Sequence, residues 1–159
     1  MQADLNFILR HPAHFFAFGF GSGLSPKAPG TTGSLAAIPL YLALAHFFSQ
    51  EVLLAIIFLS FLAGIWFCDI TGKALDAPDH GGMVWDEIVA MWLILAFTPQ
   101  TWIWVGMAFL LFRLFDIWKP FPVRYLDQHV KGGFGVMLDD LLAAGYALAA
   151  LKLMEKFYG

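Results

Sequence analysis

Five apolar stretches separated by polar segments dominate the pattern along the chain. They cover residues 34–48, 52–68, 88–97, 102–112 and 141–151. The second stretch is long and uncharged enough to cross a bilayer as a helix. The last three reach a spanning length only when the charged residues at their ends are included. The pattern predicts an all-α, polytopic membrane bundle with about four or five embedded helices.

The polar connections between these stretches are of two kinds. Two of them, around Gln50 and around Pro99, are short and predict tight helical hairpins. The other three, residues 19–33, 69–87 and 113–140, are long, glycine-rich and charged. If the first two helices form one hairpin and the next two form another, all three long segments lie on the same side of the membrane.

The composition supports a membrane protein. Of the 159 residues, 60% are hydrophobic and only 13% are charged, and the mean hydropathy is +0.72. A soluble domain carries about 25% charged residues. The length fits one membrane-embedded domain covering residues 1–159. A net charge of −3 argues against a nucleic-acid-binding face, so no nucleic-acid partner is expected.

The distribution of basic residues predicts the orientation in the membrane. Seven of the nine Lys and Arg residues fall on the side of the long polar segments, and these are Arg10, Lys27, Lys73, Arg113, Lys119, Arg124 and Lys131. By the positive-inside rule, this side faces the cytoplasm.

Five carboxylates lie at the ends of the predicted helices on that side. Asp86 and Glu87 begin the third helix, Asp116 follows the fourth, and Asp139 and Asp140 precede the fifth. So many anions at one level repel each other unless a cation neutralises them or some of them are protonated. Oxygen-only ligands suit Mg²⁺ rather than Zn²⁺, and we expect a subset of the five to bind Mg²⁺. For the acids at helix starts, complementarity to the helix dipole is the simpler alternative.

Basic residues near these acids point to phosphoryl chemistry. Arg113, Lys119 and Arg124 lie in or near the same segments and are predicted to bind phosphate, with Lys73 as a further candidate. Mg²⁺ together with basic residues is the usual equipment for phosphoryl transfer. Arg113 and Asp116 are three residues apart, so a local ion pair on one helix face is the simpler alternative.

The glycine-rich segment before the first helix is a second candidate anion site. Backbone N–H groups and hydroxyls at a helix start can bind phosphate, and Thr31 and Ser34 are predicted to add hydrogen bonds. The alternative is an ordinary entry loop in which Ser34 is the N-cap. His14 is expected to have no special role.

Four motifs, in order along the chain, resemble those of a known family. They are residues 19–26 with 29–31, residues 79–81 with 84–87, residues 112–122 and residues 132–140. Together they resemble the phosphatidylglycerophosphatase A family over about residues 17–145. The resemblance implies a Mg²⁺-dependent enzyme of the bacterial cytoplasmic membrane. It would hydrolyse the terminal phosphate of phosphatidylglycerophosphate, a phospholipid substrate in the bilayer, to give phosphatidylglycerol and inorganic phosphate.

The residues themselves leave the mechanism and two other functions open. Attack by a metal-activated water and a phospho-aspartyl intermediate both fit the carboxylates. A cation transporter or its accessory subunit would also use acids near a membrane. A non-catalytic membrane scaffold is a third hypothesis, but it leaves the clustered charges unexplained. The oligomeric state is not determined by these patterns.

Overall fold

The computed structural model of the chain describes residues 3–78 and 80–158. These residues contain no strand, so the prediction of an all-α fold is confirmed. A short 3₁₀ helix lies at Gly19–Leu24. The α-helices are α1 (Leu5–Leu9), α2 (Pro12–Ala17), α3 (Pro29–Phe47), α4 (Gln50–Ala74), α5 (Trp85–Ala96), α6 (Trp102–Trp118), α7 (Val123–His129) and α8 (Gly132–Tyr158).

The five apolar stretches correspond to α3, α4, α5, α6 and α8. The segment 113–140, which the sequence predicts as a connection, is mostly helical. It contains the last turn of α6, all of α7 and the first turns of α8. Its polar residues are compatible with helix because Asp116 of α6 and Asp140 of α8 face each other between the two helices.

Helix α5 is the central element of the bundle. It packs against α3, α4 and α8, and its residues Ile88, Met91 and Leu95 are fully buried. The indole N–H of Trp85 donates to the Ser60 carbonyl of α4 at 2.9 Å. The N–H of a second indole, in the third turn of α5, donates to a carbonyl of α3 at 3.0 Å. These contacts fix the position of the helix start that carries Asp86.

Two helices in the described part of the chain, α4 and α8, are long and apolar enough to cross a membrane. Helix α4 also leaves large apolar side chains uncovered, including Phe58 (61% exposed) and Leu59 (62% exposed). Exposed apolar surface of this extent is typical of a membrane or protein contact. Helix α5, with 12 residues, is about 18 Å long and too short to span a bilayer alone. The number of spans stays a prediction.

Glycines allow the start of α8 to pack directly on α4. A Cβ atom on Gly133 would lie 1.9 Å from the carbonyl oxygen of Ile65, so only glycine fits at this contact. At the residue directly before Ile65 in α4, a Cβ atom on Gly64 would lie 2.6 Å from Trp85 and 2.7 Å from Met137. Gly133 of α8 and Gly64 of α4 therefore allow helices α4, α5 and α8 to approach each other closely.

The N-terminal helices α1 and α2 close one side of the bundle. Phe7 and Phe18 are buried, and His14 stacks on Phe7 with ring centroids 4.4 Å apart. His14 Nδ1 forms a hydrogen bond with Thr71 Oγ1 of α4 at 2.9 Å. Burial lowers the pKa of His14, and the neighbouring His11 lowers it further. His14, for which no special role was expected, thus joins the N-terminal helices to α4.

Candidate active site

Three carboxylates from two helices converge at one end of the bundle. Asp86 and Glu87 lie in the first turn of α5, and Asp140 lies in the third turn of α8. One oxygen atom of each side chain lies within 4.8 Å of the others. Asp86 is 6% exposed and Asp140 is 4% exposed, so these anions are almost completely removed from water. We call these three residues the acidic cluster.

The acidic cluster fits a hard divalent cation. Asp86 Oδ1, Glu87 Oε2 and Asp140 Oδ2 are buried and have no hydrogen-bond partner among residues 3–78 and 80–158. A buried carboxylate without compensation costs several kcal/mol. Three carboxylates that each bring an oxygen within 4.8 Å of the others, with no nitrogen or sulfur donor in the described group, match the ligands that Mg²⁺ and Mn²⁺ prefer.

An arginine from α6 lies next to the acidic cluster. Arg113 Nη1 donates a hydrogen bond to Asp116 Oδ2, and the two side chains are only 15% and 12% exposed. The Asp116 carboxyl group also contacts that of Asp140. The local ion pair considered from the sequence is therefore present, but it is part of the acidic site. Arg113 Nε is buried and has no partner within the described residues, so its N–H group can donate a hydrogen bond to a bound anion.

The first turn of α3 covers Glu87 and Arg113. A Cβ atom on Gly30 would lie 3.0 Å from Glu87 Oε1 and 3.2 Å from Arg113 Nη1. The N-cap residue of α3, Ala28, has no side-chain acceptor, and the first backbone N–H groups of any helix lack helical partners. These N–H groups at a positive helix end are suited to phosphate. Thr31, predicted to bind phosphate, is half-buried in this same turn.

Ser34 does not cap α3, so that sequence interpretation is wrong. Helix α3 begins at Pro29, five residues before Ser34. Ser34 lies in the second turn, and its Oγ donates to the Gly30 carbonyl at 2.8 Å. The hydroxyl therefore supports the backbone of Gly30, whose importance was missed. Proline is frequent at the first helical position, and Pro29 was the signal that could have located this helix start.

Asp139 and Lys119 belong to a separate polar group. Neighbouring residues on a helix point about 100° apart, so Asp139 faces α7 when Asp140 faces the acidic cluster. Asp139 shares a hydrogen bond with Asp127, and Lys119 Nζ lies 3.1 Å from Asp127 Oδ2. The hydrogen bond from Asp139 holds the pKa of Asp127 below its usual range, and Lys119 lowers it further. The structure thus directs two predicted site residues away from the acidic cluster.

Two further predicted phosphate ligands also lie outside the acidic cluster. Lys73 is 77% exposed and pairs with Asp69, four residues earlier in α4, at 2.8 Å. Arg124 of α7 is exposed, and its Nη2 donates to the Trp118 carbonyl at 3.2 Å. Among the four basic residues proposed from the sequence, Arg113 is the one that the structure places at the three carboxylates.

Comparison with known proteins gives a consistent assignment. The family model of phosphatidylglycerophosphatase A matches residues 15–155. Phosphatidylglycerophosphatase A of Escherichia coli (strain K12) is 44% identical over 136 residues, which cover 85% of this chain and 78% of that protein. Phosphatidylglycerophosphatase A of Haemophilus influenzae is 47% identical over 148 residues, which cover 92% of this chain and 91% of that protein.

A third relative has a different name. The putative phosphatidylinositol-3-phosphatase of Bacteroides thetaiotaomicron is 43% identical over 148 residues, covering 89% of this chain and 92% of that protein. No solved structure shows significant similarity to the chain. The family match covers nearly the whole chain, including every residue of the acidic cluster, and two relatives of the same name cover most of it. The chain belongs to the phosphatidylglycerophosphatase A family.

Proposed function

We propose that the acidic cluster of Asp86, Glu87 and Asp140 is the catalytic centre of this phosphatase and that it binds Mg²⁺. The activity follows from the family: the chain is a phosphoric monoester hydrolase that converts phosphatidylglycerophosphate to phosphatidylglycerol and inorganic phosphate. The observation that supports the site is the set of three buried carboxylate oxygens without hydrogen-bond partners beside a buried arginine.

The cation would be held by Asp86, Glu87 and Asp140. When bound, Mg²⁺ supplies positive charge that stabilises the anionic phosphate in the transition state and lowers the pKa of a bound water. The protein contributes the arrangement of the ligands. Because Asp86 and Glu87 start one helix and Asp140 lies inside another, the packing of α5 on α8 sets the distance between them.

Arg113 and the first turn of α3 would hold the phosphate. Asp116 accepts a hydrogen bond from Nη1 of Arg113 and thereby orients the guanidinium group. Nε faces no described partner, and a guanidinium binds phosphate oxygens with more than one N–H group. The N–H groups around Gly30 would approach the phosphate from a second direction, because no Cβ atom separates that backbone from Glu87 and Arg113.

A membrane location suits the lipid substrate. The apolar surface of α4 and the lengths of α4 and α8 support membrane association. We place the chain in the bacterial inner membrane as a multi-pass protein. The acidic cluster would face the cytoplasm, because the basic residues of the long segments lie at that end. The acyl chains would stay in the bilayer while the phosphorylated head group enters the site.

The transporter and scaffold interpretations receive no support. The relatives that share the family name are phosphatases by name, and the acidic cluster lies at one end of the bundle rather than along a path through it. The name of the Bacteroides relative concerns a different lipid head group. A phosphomonoester on a phospholipid is the chemistry that these names share.

Phosphate release from pure protein tests the proposed site. Phosphatidylglycerophosphate in neutral detergent micelles is assayed with Mg²⁺, with EDTA, and with EDTA followed by excess Mg²⁺. We expect Asp86→Asn, Glu87→Gln and Asp140→Asn each to lower kcat/KM by more than about 100-fold, the size typical for loss of a transition-state contact. Asp76→Asn is the matched control, because Asp76 is an exposed acid outside the acidic cluster with a left-handed backbone that Asn tolerates. Full activity of the Asp86 variant, or activity that survives EDTA, would exclude this site.

A further inference from the structure

An open groove lined by aromatic residues and two basic side chains lies at the end of α6, outside the acidic cluster. It has a volume of about 400 Å³. Its lining includes Trp118, Lys119, Pro120, Phe121, Arg124 and Tyr125. We call it the α6–α7 groove. The same helix, α6, carries Arg113 and Asp116 one to two turns earlier, so the groove and the acidic cluster lie at the same end of the bundle.

Exposed aromatic side chains place the α6–α7 groove at the level of lipid head groups. Phe121 is 80% exposed, Trp118 is 56% exposed and Tyr125 is 52% exposed. Trp and Tyr, whose side chains have one apolar and one polar part, are enriched where the hydrocarbon of a bilayer meets water, and Trp118 and Tyr125 are of this kind. Phosphodiester groups of phospholipids occupy this same level.

Arg124 gives the α6–α7 groove an uncompensated positive charge. A guanidinium group has five N–H donors, and the one hydrogen bond that Arg124 forms with described residues goes to the Trp118 carbonyl. No carboxylate within residues 3–78 and 80–158 pairs with it. Lys119, by contrast, is paired with Asp127. Arg124 is therefore the lining residue best suited to bind an anion.

The substrate has two phosphate groups, and they need different surroundings. Its terminal phosphomonoester must reach the reactive centre, whereas its phosphodiester joins the glycerol bridge to the acyl-bearing half of the lipid. The acidic cluster would repel a second anion, so the diester needs a cation outside the acidic cluster. Lys119, where α6 ends, is six residues beyond Arg113, about 9 Å along the helix axis. A separation of this order suits two phosphates bridged by glycerol.

We propose that the α6–α7 groove binds the phosphodiester of the lipid substrate, with Arg124 as its main ligand. This inference rests on the proposed function. It assigns Arg124 to substrate recognition at a second phosphate and leaves the monoester to Arg113 and the acidic cluster. The groove would then distinguish lipids that carry both phosphates from lipids that carry a terminal phosphate alone.

Two lipids with the same acyl chains test this assignment. Phosphatidylglycerophosphate carries both groups, and phosphatidate carries the monoester alone. The KM for phosphatidylglycerophosphate is measured in neutral detergent micelles, together with the inhibition constant Ki of phosphatidate against it. For Arg124→Gln we expect KM to rise about tenfold relative to the Ki of phosphatidate, as for the loss of one charge-assisted contact. Arg124→Lys should recover part of the loss. Lys156→Gln, which removes an exposed charge at the far end of α8, should leave the ratio of KM to Ki unchanged.

The outcomes separate the explanations. An increase of KM and Ki by the same factor would mean that Arg124 serves the monoester or general attachment to the micelle, and would overturn the assignment. Unchanged constants would overturn it as well. If the wild-type protein releases no phosphate from phosphatidylglycerophosphate, the proposed function fails, and this inference fails with it.

Discussion

Gly133 and Gly145 lie in the same helix, α8, but in opposite surroundings. A Cβ atom on Gly133 would lie 1.9 Å from the Ile65 carbonyl oxygen, whereas a Cβ atom on Gly145 would meet nothing within 4 Å. Since carbon and oxygen atoms do not normally approach closer than about 3.3 Å, Gly133→Ala requires a displacement of about 1.4 Å between α4 and the start of α8. Alanine at either position gains helix propensity of at most about 1 kcal/mol.

The two substitutions should therefore have opposite effects. Overpacking typically costs about 1–3 kcal/mol, which exceeds the propensity gain. We expect Gly133→Ala to unfold at a lower temperature than the wild type, with each kcal/mol worth about 2–4 °C. Gly145→Ala should unfold at the same or a slightly higher temperature. Asp140 follows Gly133 in α8, and a displacement of about 1 Å in a catalytic group can cost about 100-fold in rate, so Gly133→Ala should also lose most of its activity.

Thermal unfolding in detergent, followed by circular dichroism, and phosphate release measure both effects on the same preparations. The comparison within one helix removes differences in propensity and in detergent. If Gly133→Ala matches Gly145→Ala in unfolding temperature and in kcat/KM, the close packing of α8 on α4 does not hold the acidic cluster in place, and our reasoning is wrong.

Three further predictions concern single side chains around the site and the N-terminal helices. Arg113→Lys should lower kcat/KM for phosphatidylglycerophosphate by about 10- to 100-fold, because an ammonium group cannot reproduce the guanidinium contacts; activity near the wild-type level would contradict the phosphate role. Gly30→Ala should lower kcat/KM about tenfold, because its methyl group would lie 3.0 Å from Glu87 Oε1, while Gly106→Ala, which meets nothing within 4 Å, serves as the control that keeps its rate. The lowered pKa of His14 means that the unfolded chain binds a proton more readily than the folded chain. Stability should therefore fall as the pH drops below the ordinary histidine pKa of 6.5. In His14→Gln the unfolding temperature should depend less on pH between about pH 7.5 and about pH 5.5 than in the wild type. The same pH dependence in both proteins would contradict this.

The five main helices could be predicted because their apolar stretches are long and uninterrupted. The helical content of segment 113–140 could not, because glycines and charges there read as a connection. Gly133 disfavours helix by about 1 kcal/mol, and its close contact with Ile65 joins residues far apart in the sequence. Helices α1 and α2 have 5 and 6 residues, too few for a periodic pattern to appear.

The sequence predicted that acidic side chains converge, but not which way each of them points. Asp86, Glu87 and Asp140 were predicted to lie at one level because they flank apolar stretches. The structure places the three side chains together. It could not decide which of the adjacent residues Asp139 and Asp140 faces the cluster, because that depends on the rotation of α8 against α5. The exposed pair formed by Lys73 with Asp69 follows from their spacing of four residues, and this signal could have removed Lys73 from the predicted phosphate ligands.

Mn²⁺ offers a direct measurement of metal binding at the acidic cluster. Mn²⁺ prefers the same oxygen ligands as Mg²⁺, and its electron paramagnetic resonance signal distinguishes free from bound ion. We predict that the purified protein without substrate binds Mn²⁺ saturably, that excess Mg²⁺ displaces it, and that Asp86→Asn and Asp140→Asn lose this binding while Asp76→Asn keeps it. Mn²⁺ binding that is equally strong in the Asp86 and Asp140 variants, or absent from the wild-type protein, would contradict the account.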